Sequence, residues 1–557
     1  MKVLDQRNLA DEARLGFVLV ILACVLSLVD TGLFPFTTAA EKIGWVPEHA
    51  GRATRVVRVG SVQLAIVLLL VASARRWRGT VLRNRLALSS LQERDTSLAS
   101  TFDALSLDIL GKSVRAMVTP NMSDGNAITF QERREPIVAI GGGVRVIFRK
   151  DRERALGILA HELSHVANAD ASLLLLGWYF TLAYAALIAL HSVLMQAWYW
   201  SGVFKLQFPP DWSTFSIIAY EIRPALGNLT PMLTAASMGI VIYYLIRNRE
   251  FYADDRAAAA GYRDALLRQL ELVSQAPLGR RSVFHPSAQA RRRRLSDPAS
   301  WSRLDGLFVA AVFFLAARSS GALGGMLGPF ESHAQTTGNP VLSALENLGA
   351  IDVLELGGKI AIYVLAVGIA ARHIYRVAST RLALGASRWN LVAIAGIASI
   401  AAFLGMIAAD LTSGRFFTSY ADASVPIEAV LGMFLGDAGT ASLFVLIACA
   451  ISVAAAVVAM PKPRIRSPAD LLRRALVLLP LAVAIDVTMN LTAYFLSRWL
   501  GYSFPFEGGA AVTDAMMSPV IPAVGFSAFA VVLGLLGSRL VKTKTQPSVH
   551  ESRLRDY

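Results

Sequence analysis

Two histidines and a glutamate stand close together in the stretch ALGILAHELSHVANAD, residues 155–170. In an α-helix with 3.6 residues per turn, His161 and His165 lie one turn apart on the same face, with roughly 6 Å between them. Two imidazoles at this spacing can bind one metal ion, and Glu162 between them can take a proton from a metal-bound water. This HExxH pattern therefore predicts a metal-dependent hydrolytic site with Glu162 as the general base.

A catalytic zinc ion usually has three protein ligands, so the two imidazoles need a third residue. The two cysteines, Cys24 and Cys449, each lie inside an apolar run, which leaves neither a thiolate zinc site nor a disulfide framework. The best candidate is Glu250 in IRNREFYADDRAAAAG. Asp254, one turn later, can accept a hydrogen bond from a ligand imidazole and fix its tautomer. The expected cofactor is one zinc ion, inferred from the ligand types.

The composition indicates a polytopic membrane protein. Of 557 residues 54% are hydrophobic and 17% are charged, the mean hydropathy is +0.49, and several apolar runs exceed the roughly 20 residues that cross a bilayer. The formal charge of +14 lies in short segments between these runs, which is typical of membrane topology and disfavours nucleic-acid binding. The RRRR run that begins at Arg291 is interpreted in the same way, as a topology determinant that contacts lipid headgroups.

About ten transmembrane helices are predicted, and they divide the chain into four parts. Residues 1–74 contain two spans, residues 75–305 form a hydrophilic metallopeptidase domain interrupted by a transmembrane hairpin at about 172–246, residues 306–540 form a six-span region, and residues 541–557 are a tail. The predicted spans are about 15–36, 60–74, 172–198, 231–246, 306–328, 359–371, 390–409, 440–460, 475–497 and 516–538.

The distribution of basic residues predicts the orientation of these spans. Segments such as RRWRGTVLRNR, RHIYRVASTR and PKPRIRSPADLLRR alternate with segments poor in arginine and lysine, such as GYSFPFEGGAAVTDAM. By the positive-inside rule, both hydrophilic blocks, the predicted site and both termini are cytoplasmic, as expected for a bacterial inner-membrane protein. The first span follows a mixed-charge leader and lacks a small-residue cleavage motif, so it is interpreted as a permanent anchor.

The ordered set of HELSHVANAD, a transmembrane hairpin and RNREFYAD resembles the HtpX-type membrane zinc metallopeptidases and their relatives, the CAAX prenyl endopeptidases. The resemblance covers about residues 75–295. It implies a cytoplasmic α+β gluzincin domain within an α-helical membrane protein. It also implies that His161, His165 and Glu250 bind zinc, with Glu162 as the catalytic base. The serine common before the arginine of the REFxAD segment is replaced here by Ile246, and the last six spans have no counterpart in HtpX.

Three further segments are similar to elements of the same family. SDGNAITF matches its Asn-Ala element, which implies that Asn126 and the backbone of Ala127 hold the substrate main chain on an edge strand. REPIVAIGGGVRVIF is similar to the strand and glycine turn that precede the HExxH helix. FHPSAQARRRRL resembles the HP-x-x-x-x-R element, which implies that His285 lies near the scissile carbonyl and that Arg291 supports it.

Two functions of different classes are consistent with these patterns. The first is a membrane-integrated zinc endopeptidase that acts on polypeptide segments at the lipid bilayer. The alternative is a receptor or transporter whose peptidase-like domain binds metal and peptide without turnover. The intact HExxH motif favours the enzyme, because a binding module has no use for Glu162. The C-terminal spans could bind further copies or membrane partners, and within them Arg318 and Asp486 are predicted to pair at equal depth.

Overall fold

The computed structural model describes residues 7–31, 52–122, 125–132, 135–168, 171–203, 214–275, 285–297 and 305–337, together with scattered positions between 354 and 409. These residues belong to the first of two compact units, Met1–Ala423; the second unit is Ser424–Tyr557. Asp486, and with it the predicted pair with Arg318, lies outside the described residues, as do the predicted spans 440–460, 475–497 and 516–538.

Long helices dominate the described part of the chain. The longest helices are α1 (Arg7–Thr31), α2 (Arg52–Arg85), α7 (Ala171–Val203), α8 (Thr214–Ala257) and α11 (Gly306–Thr337). The shorter helices are α3 (Leu91–Arg94), α4 (Thr96–Leu110), α5 (Gly142–Lys150), α6 (Arg152–Asn168), α9 (Arg263–Gln275) and α10 (Ala288–Ser296). The HELSH motif lies on α6, as its spacing predicts.

Four helices are long and apolar enough to cross a membrane, which indicates a membrane protein. Their candidate spans are Val59–Arg85 in α2, Leu175–Leu194 in α7, Leu229–Ser274 from α8 onward, and Gly306–Leu323 in α11. The apolar part of α1, Ala13–Leu28, is shorter. Among the described residues, four of the ten predicted spans therefore coincide with helices of sufficient length, and the total of ten stays a prediction.

A small mixed sheet lies between α2 and α5. Its strands are β1 (Ser89–Ser90), β2 (Arg115–Val118), β3 (Ala127–Glu132) and β4 (Glu135–Ile140), in the order β1-β2-β4-β3. The β2 and β4 strands pair in parallel, whereas β3 pairs antiparallel with β4, so that Ala127 lies opposite Ile140. This order makes β3 an edge strand, with the Asn-Ala element at its start.

A hydrophobic core joins this sheet to the helix that carries the HELSH motif. Its buried side chains include Leu98 and Phe102 from α4, Ile140 from β4, and Leu159 and Leu163 from α6. These five side chains are 0% exposed, and burial of an aliphatic or aromatic side chain of this size contributes roughly 1.5–3 kcal/mol. The core therefore holds α6 firmly against the sheet.

Two glycines allow the close approaches on which this arrangement depends. A Cβ on Gly142 would lie 2.8 Å from the carbonyl oxygen of Asn121 and 2.9 Å from that of Thr119, so the chain can turn from β4 into α5 only without a side chain there. A Cβ on Gly157 would lie 2.9 Å from the Cβ of Ala265, where α6 crosses α9. Of the three glycines in the GGG segment, Gly141 is the N-cap of α5 and the next two begin the helix, so α5 is a further helix between β4 and the HELSH helix.

The helix α8 joins the membrane region to the site. It runs for 44 residues, beginning before the predicted span at 231–246 and continuing beyond it. Glu250 and Asp254 therefore lie on the same continuous helix as the second half of the transmembrane hairpin. After α8, a π-helical segment (Ala258–Tyr262) contains Gly261 with φ +96°, a left-handed conformation that suits glycine, and the chain then enters α9.

Candidate metal centre and active site

His161 and His165 of α6 meet Glu250 of α8 at a buried point between the two helices. The Nε2 atoms of the two histidines lie 3.2 Å apart. Nε2 of His161 lies 3.5 Å from Oε2 of Glu250, and Nε2 of His165 lies 3.5 Å from Oε1. All three side chains are buried. The three predicted ligands thus converge, although two come from the first hydrophilic block and one from the second.

The spacing of these atoms leaves room for one small cation. The candidate ligand atoms lie within 4.8 Å of one another, and the two Nε2 atoms each lie 3.5 Å from a different oxygen of Glu250. Oε2 of Glu250 is shielded from solvent and accepts no well-formed hydrogen bond, although Nδ1 of His285 lies 3.0 Å away. Two imidazoles and a carboxylate are a donor set that suits zinc, and one oxygen of this carboxylate is buried without a hydrogen bond. The site can therefore hold one metal ion.

Asp254 orients the first of these imidazoles. Its Oδ1 lies 2.9 Å from Nδ1 of His161, which leaves Nε2 directed at Glu250. Burial and the Arg291 guanidinium oppose protonation of His161, but the carboxylates of Asp254 and Glu250 outweigh them and raise the pKa of His161 to about 9. A metal ion that binds Nε2 must therefore displace a proton. The predicted contact of Asp254 with a candidate ligand imidazole, that of His161, is observed.

Arg291 contacts both Asp254 and His161, with one terminal nitrogen 3.2 Å from Nδ1 of His161. Its Nε donates to Oδ2 of Asp254 at 2.8 Å, and its second nitrogen donates to Oδ1 at 2.6 Å. This bidentate pair is shielded from solvent, because the Asp254 side chain is 2% exposed and that of Arg291 is 16% exposed. The structure thus gives Arg291 a contact that the sequence did not predict, and its role in substrate binding stays a prediction.

Arg249 contacts the second imidazole. Its Nε donates to Nδ1 of His165 at 3.0 Å. Burial and this positive charge hold the pKa of His165 well below its usual range, which keeps the ring neutral, as a metal ligand must be. Because a guanidinium only donates, this contact places the ring proton on Nε2, and metal binding through Nε2 requires the opposite tautomer. The sequence offered one signal for Arg249, its position next to Glu250.

Thr129 of β3 holds the predicted general base. Its hydroxyl lies 2.8 Å from Oε2 of Glu162 and 3.1 Å from the backbone carbonyl oxygen of the same residue, and it can donate to one of them at a time. Burial raises the pKa of the Glu162 carboxyl above its ordinary value, which suits a base that works near neutral pH. Sequence reasoning missed Thr129, although strand alternation places it on the same face as Ala127.

A large cavity connects the metal centre with the membrane helices. Its volume is about 2080 Å³, and its wall includes the whole edge strand from Asn126 to Glu132. At the metal centre it reaches Glu162, His285 and the three candidate ligands. Apolar side chains of three membrane helices line its other part: Phe17 and Ile21 from α1, Leu68 and Val71 from α2, and Leu175 and Trp178 from α7. An extended chain can therefore reach the metal centre along β3.

The predicted substrate-binding residues lie around this cavity. The backbone carbonyl of Asn126 accepts a hydrogen bond from the Gly141 N–H at 2.7 Å, and Ala127 begins β3. The side chain of His285 is 57% exposed, and its Nδ1 lies beside Glu250. Asn126, Ala127, His285 and Arg291 all line the cavity wall. Their contacts with substrate stay predictions.

A buried centre of two histidines and one carboxylate with an adjacent glutamate is an arrangement typical of metal-dependent hydrolases. Residues 135–299 match the sequence model of Peptidase family M48, the family of HtpX and the CAAX prenyl endopeptidases. The matched segment is less than half of the chain, and it contains the HELSH motif, Glu250, Asp254 and Arg291. This segment is therefore similar to the M48 metallopeptidases. No curated protein and no solved structure matches the chain.

Proposed function

We propose that this protein is a membrane-integrated zinc endopeptidase that hydrolyses peptide bonds in membrane or cytoplasmic protein segments. The convergence of His161, His165 and Glu250, with Glu162 beside them, is the observation that carries the proposal. The four apolar helices support membrane integration. Location in a bacterial inner membrane, with the site and both termini in the cytoplasm, is part of the proposal and rests on the positive-inside rule.

The roles of the residues follow from their positions. His161, His165 and Glu250 would hold the zinc ion, which when bound would act as a Lewis acid and lower the pKa of water toward about 7. Glu162 takes a proton from the attacking water and later delivers it to the leaving amine. Because Thr129 donates to Oε2 of Glu162, Oε1 remains for this proton transfer.

The edge strand β3 would position the substrate. An extended polypeptide that pairs with β3 obtains its register from main-chain hydrogen bonds, and Asn126 and Ala127 are the residues proposed to form them. His285 would donate to the developing oxyanion, and the loss of one such donor typically raises the barrier by about 2.7–4 kcal/mol. The apolar side chains along the cavity support a substrate that approaches from the membrane side.

Cleavage by the purified full-length protein tests this proposal. We expect it to degrade an unfolded casein-like substrate, to lose activity with a chelator and to recover it when zinc is added. The Glu162→Gln variant should bind zinc normally but cleave about 10²- to 10⁴-fold more slowly, because only proton transfer is lost. Equal cleavage by the variant would mean contamination. Zinc binding without cleavage by either protein would favour the alternative of a non-catalytic receptor or transporter.

A further inference from the structure

A cluster of polar side chains lies behind the turn of α8 that carries the metal-site carboxylates. Tyr252 is two residues from both Glu250 and Asp254, and two residues correspond to about 200° around a helix. The side chain of Tyr252 therefore leaves the helix on the side opposite the metal centre. Tyr252 is nevertheless buried, with 9% of its surface exposed, because other parts of the chain cover it.

Arg376 covers this tyrosine. Its first terminal nitrogen donates to the hydroxyl of Tyr252, and its second donates to the hydroxyl of Tyr244 at 2.7 Å. Arg376 is 7% exposed, and its guanidinium carbon lies 5.9 Å from the centre of the Tyr252 ring. It comes from a segment beyond the matched region 135–299, so a residue outside the M48 domain contacts the helix that carries Glu250.

The same cluster also includes the beginning of α11. Nδ1 of His373 lies 2.7 Å from the hydroxyl of Tyr244, and its Nε2 accepts a hydrogen bond from the backbone N–H of Asp305 at 3.0 Å. The ring of Tyr244 stacks on that of Phe308, with 3.9 Å between the ring centres. Three separate parts of the chain are therefore joined behind the metal centre: α8, the start of α11 and the segment that contains residues 373 and 376.

These contacts restrict the rotation of α8. A buried guanidinium is costly to leave without acceptors, so Arg376 favours the one arrangement in which both tyrosine hydroxyls face it. Tyr244 and Tyr252 are separated by about two turns, so holding both fixes the helix along the length that leads to Glu250. On a neighbouring face, the guanidinium carbon of Arg294 lies 4.0 Å from the centre of the Phe251 ring.

We propose that Arg376 is a positioning residue for the metal centre. By binding Tyr244 and Tyr252, it sets the rotation of the turn that contains Glu250 and Asp254, and so determines how tightly the metal ion is held. The chain that follows the M48 domain thereby contributes to the peptidase site without touching substrate. This inference rests on the proposed function insofar as the site must bind zinc.

Zinc affinity of the full-length protein, measured by competition with a chromophoric chelator, tests this role. Loss of a residue that directly supports a ligand typically weakens metal binding by roughly 10- to 100-fold. Arg376 acts one contact further away, so Arg376→Gln and Tyr252→Phe should each raise the zinc dissociation constant by about 3- to 10-fold. At limiting zinc kcat should fall with KM unchanged, and Arg376→Lys should recover part of the loss.

Two further variants separate positioning from stability. The double variant Arg376→Gln with Tyr252→Phe should bind zinc no more weakly than the weaker single variant, because both changes break the same contact. Arg145→Gln is the matched control: it removes a 3.2 Å ion pair with Asp95, away from the metal centre, and should leave zinc affinity unchanged.

Unchanged zinc affinity in Arg376→Gln, with a lower melting temperature, would overturn the inference. The contact would then stabilise the fold without positioning the metal centre. The proposed function would survive that result if the parent protein still binds zinc and cleaves substrate in a Glu162-dependent manner. A parent protein that binds no divalent cation would instead overturn both.

Discussion

Replacement of Asp254 by asparagine tests how the metal centre is held together. Asp254 accepts two hydrogen bonds from Arg291, at 2.8 and 2.6 Å, and its Oδ1 lies 2.9 Å from Nδ1 of His161. Asparagine has nearly the same shape but lacks the charge. Among the residues that the structure describes, the substitution therefore removes the only carboxylate that is hydrogen-bonded to the buried guanidinium of Arg291, and it gives His161 a weaker partner.

The magnitudes follow from this geometry. Removing one partner of a buried ion pair costs about 3–5 kcal/mol, and the amide retains one acceptor, so the free energy of unfolding should fall by about 3 kcal/mol. Most of this cost comes from the uncompensated charge of Arg291, so adding Arg291→Met to Asp254→Asn should restore most of the stability. Zinc affinity should fall by roughly 10- to 100-fold in both variants, because neither restores the carboxylate beside His161.

The two properties can be measured separately on purified full-length protein. Denaturant titration in detergent gives the change in stability, and chelator competition gives the zinc dissociation constant. The expected signature is a double variant that regains stability but not zinc affinity. If the double variant were less stable than Asp254→Asn, or if its zinc affinity recovered along with its stability, the assignment of Asp254 as the residue that orients His161 would be wrong.

Two other substitutions test the catalytic base and the packing behind it. Thr129→Val removes the 2.8 Å hydrogen bond to Glu162. Since such a bond to a charged group contributes about 1.5–3 kcal/mol, kcat should fall roughly 10- to 100-fold without a change in zinc affinity. An unchanged kcat would argue against this contact. Gly142→Ala should cost about 1–3 kcal/mol of stability, because its Cβ meets two carbonyl oxygens within 2.9 Å. Gly239→Ala, whose Cβ meets only Thr181 at 3.9 Å, is the control, and equal melting temperatures for both would contradict the steric argument.

The sequence predicted that the three candidate ligands converge, because the signals for them are local. The spacing of His161 and His165 requires only a helix, and Glu250 follows a recognisable apolar run. The structure brings the three together as expected. Thr129 and Arg249 were not predicted, because their contacts depend on how β3 and α8 pack against α6, and no periodic pattern encodes that packing.

Longer-range features were harder to predict for a similar reason. Hydropathy marks the apolar run at 231–246, but the helix that contains it begins at Thr214, because hydropathy shows where apolar side chains lie and not where helical hydrogen bonds begin. Arg291 stands in a basic run, for which the sequence predicted contact with lipid headgroups and the family resemblance implied substrate binding. Its pairing with Asp254 depends on the docking of α10 against α8 and is visible only in the folded chain.

Metal analysis of the purified protein, combined with zinc X-ray absorption spectroscopy, tests the central claim most directly. We predict one zinc ion per chain, with two imidazole nitrogens and oxygen ligands at about 2.0–2.2 Å, and loss of tight binding in Glu250→Gln. One zinc ion bound equally tightly by Glu250→Gln, or a spectrum without imidazole ligands, would contradict the claim that these three side chains hold the metal.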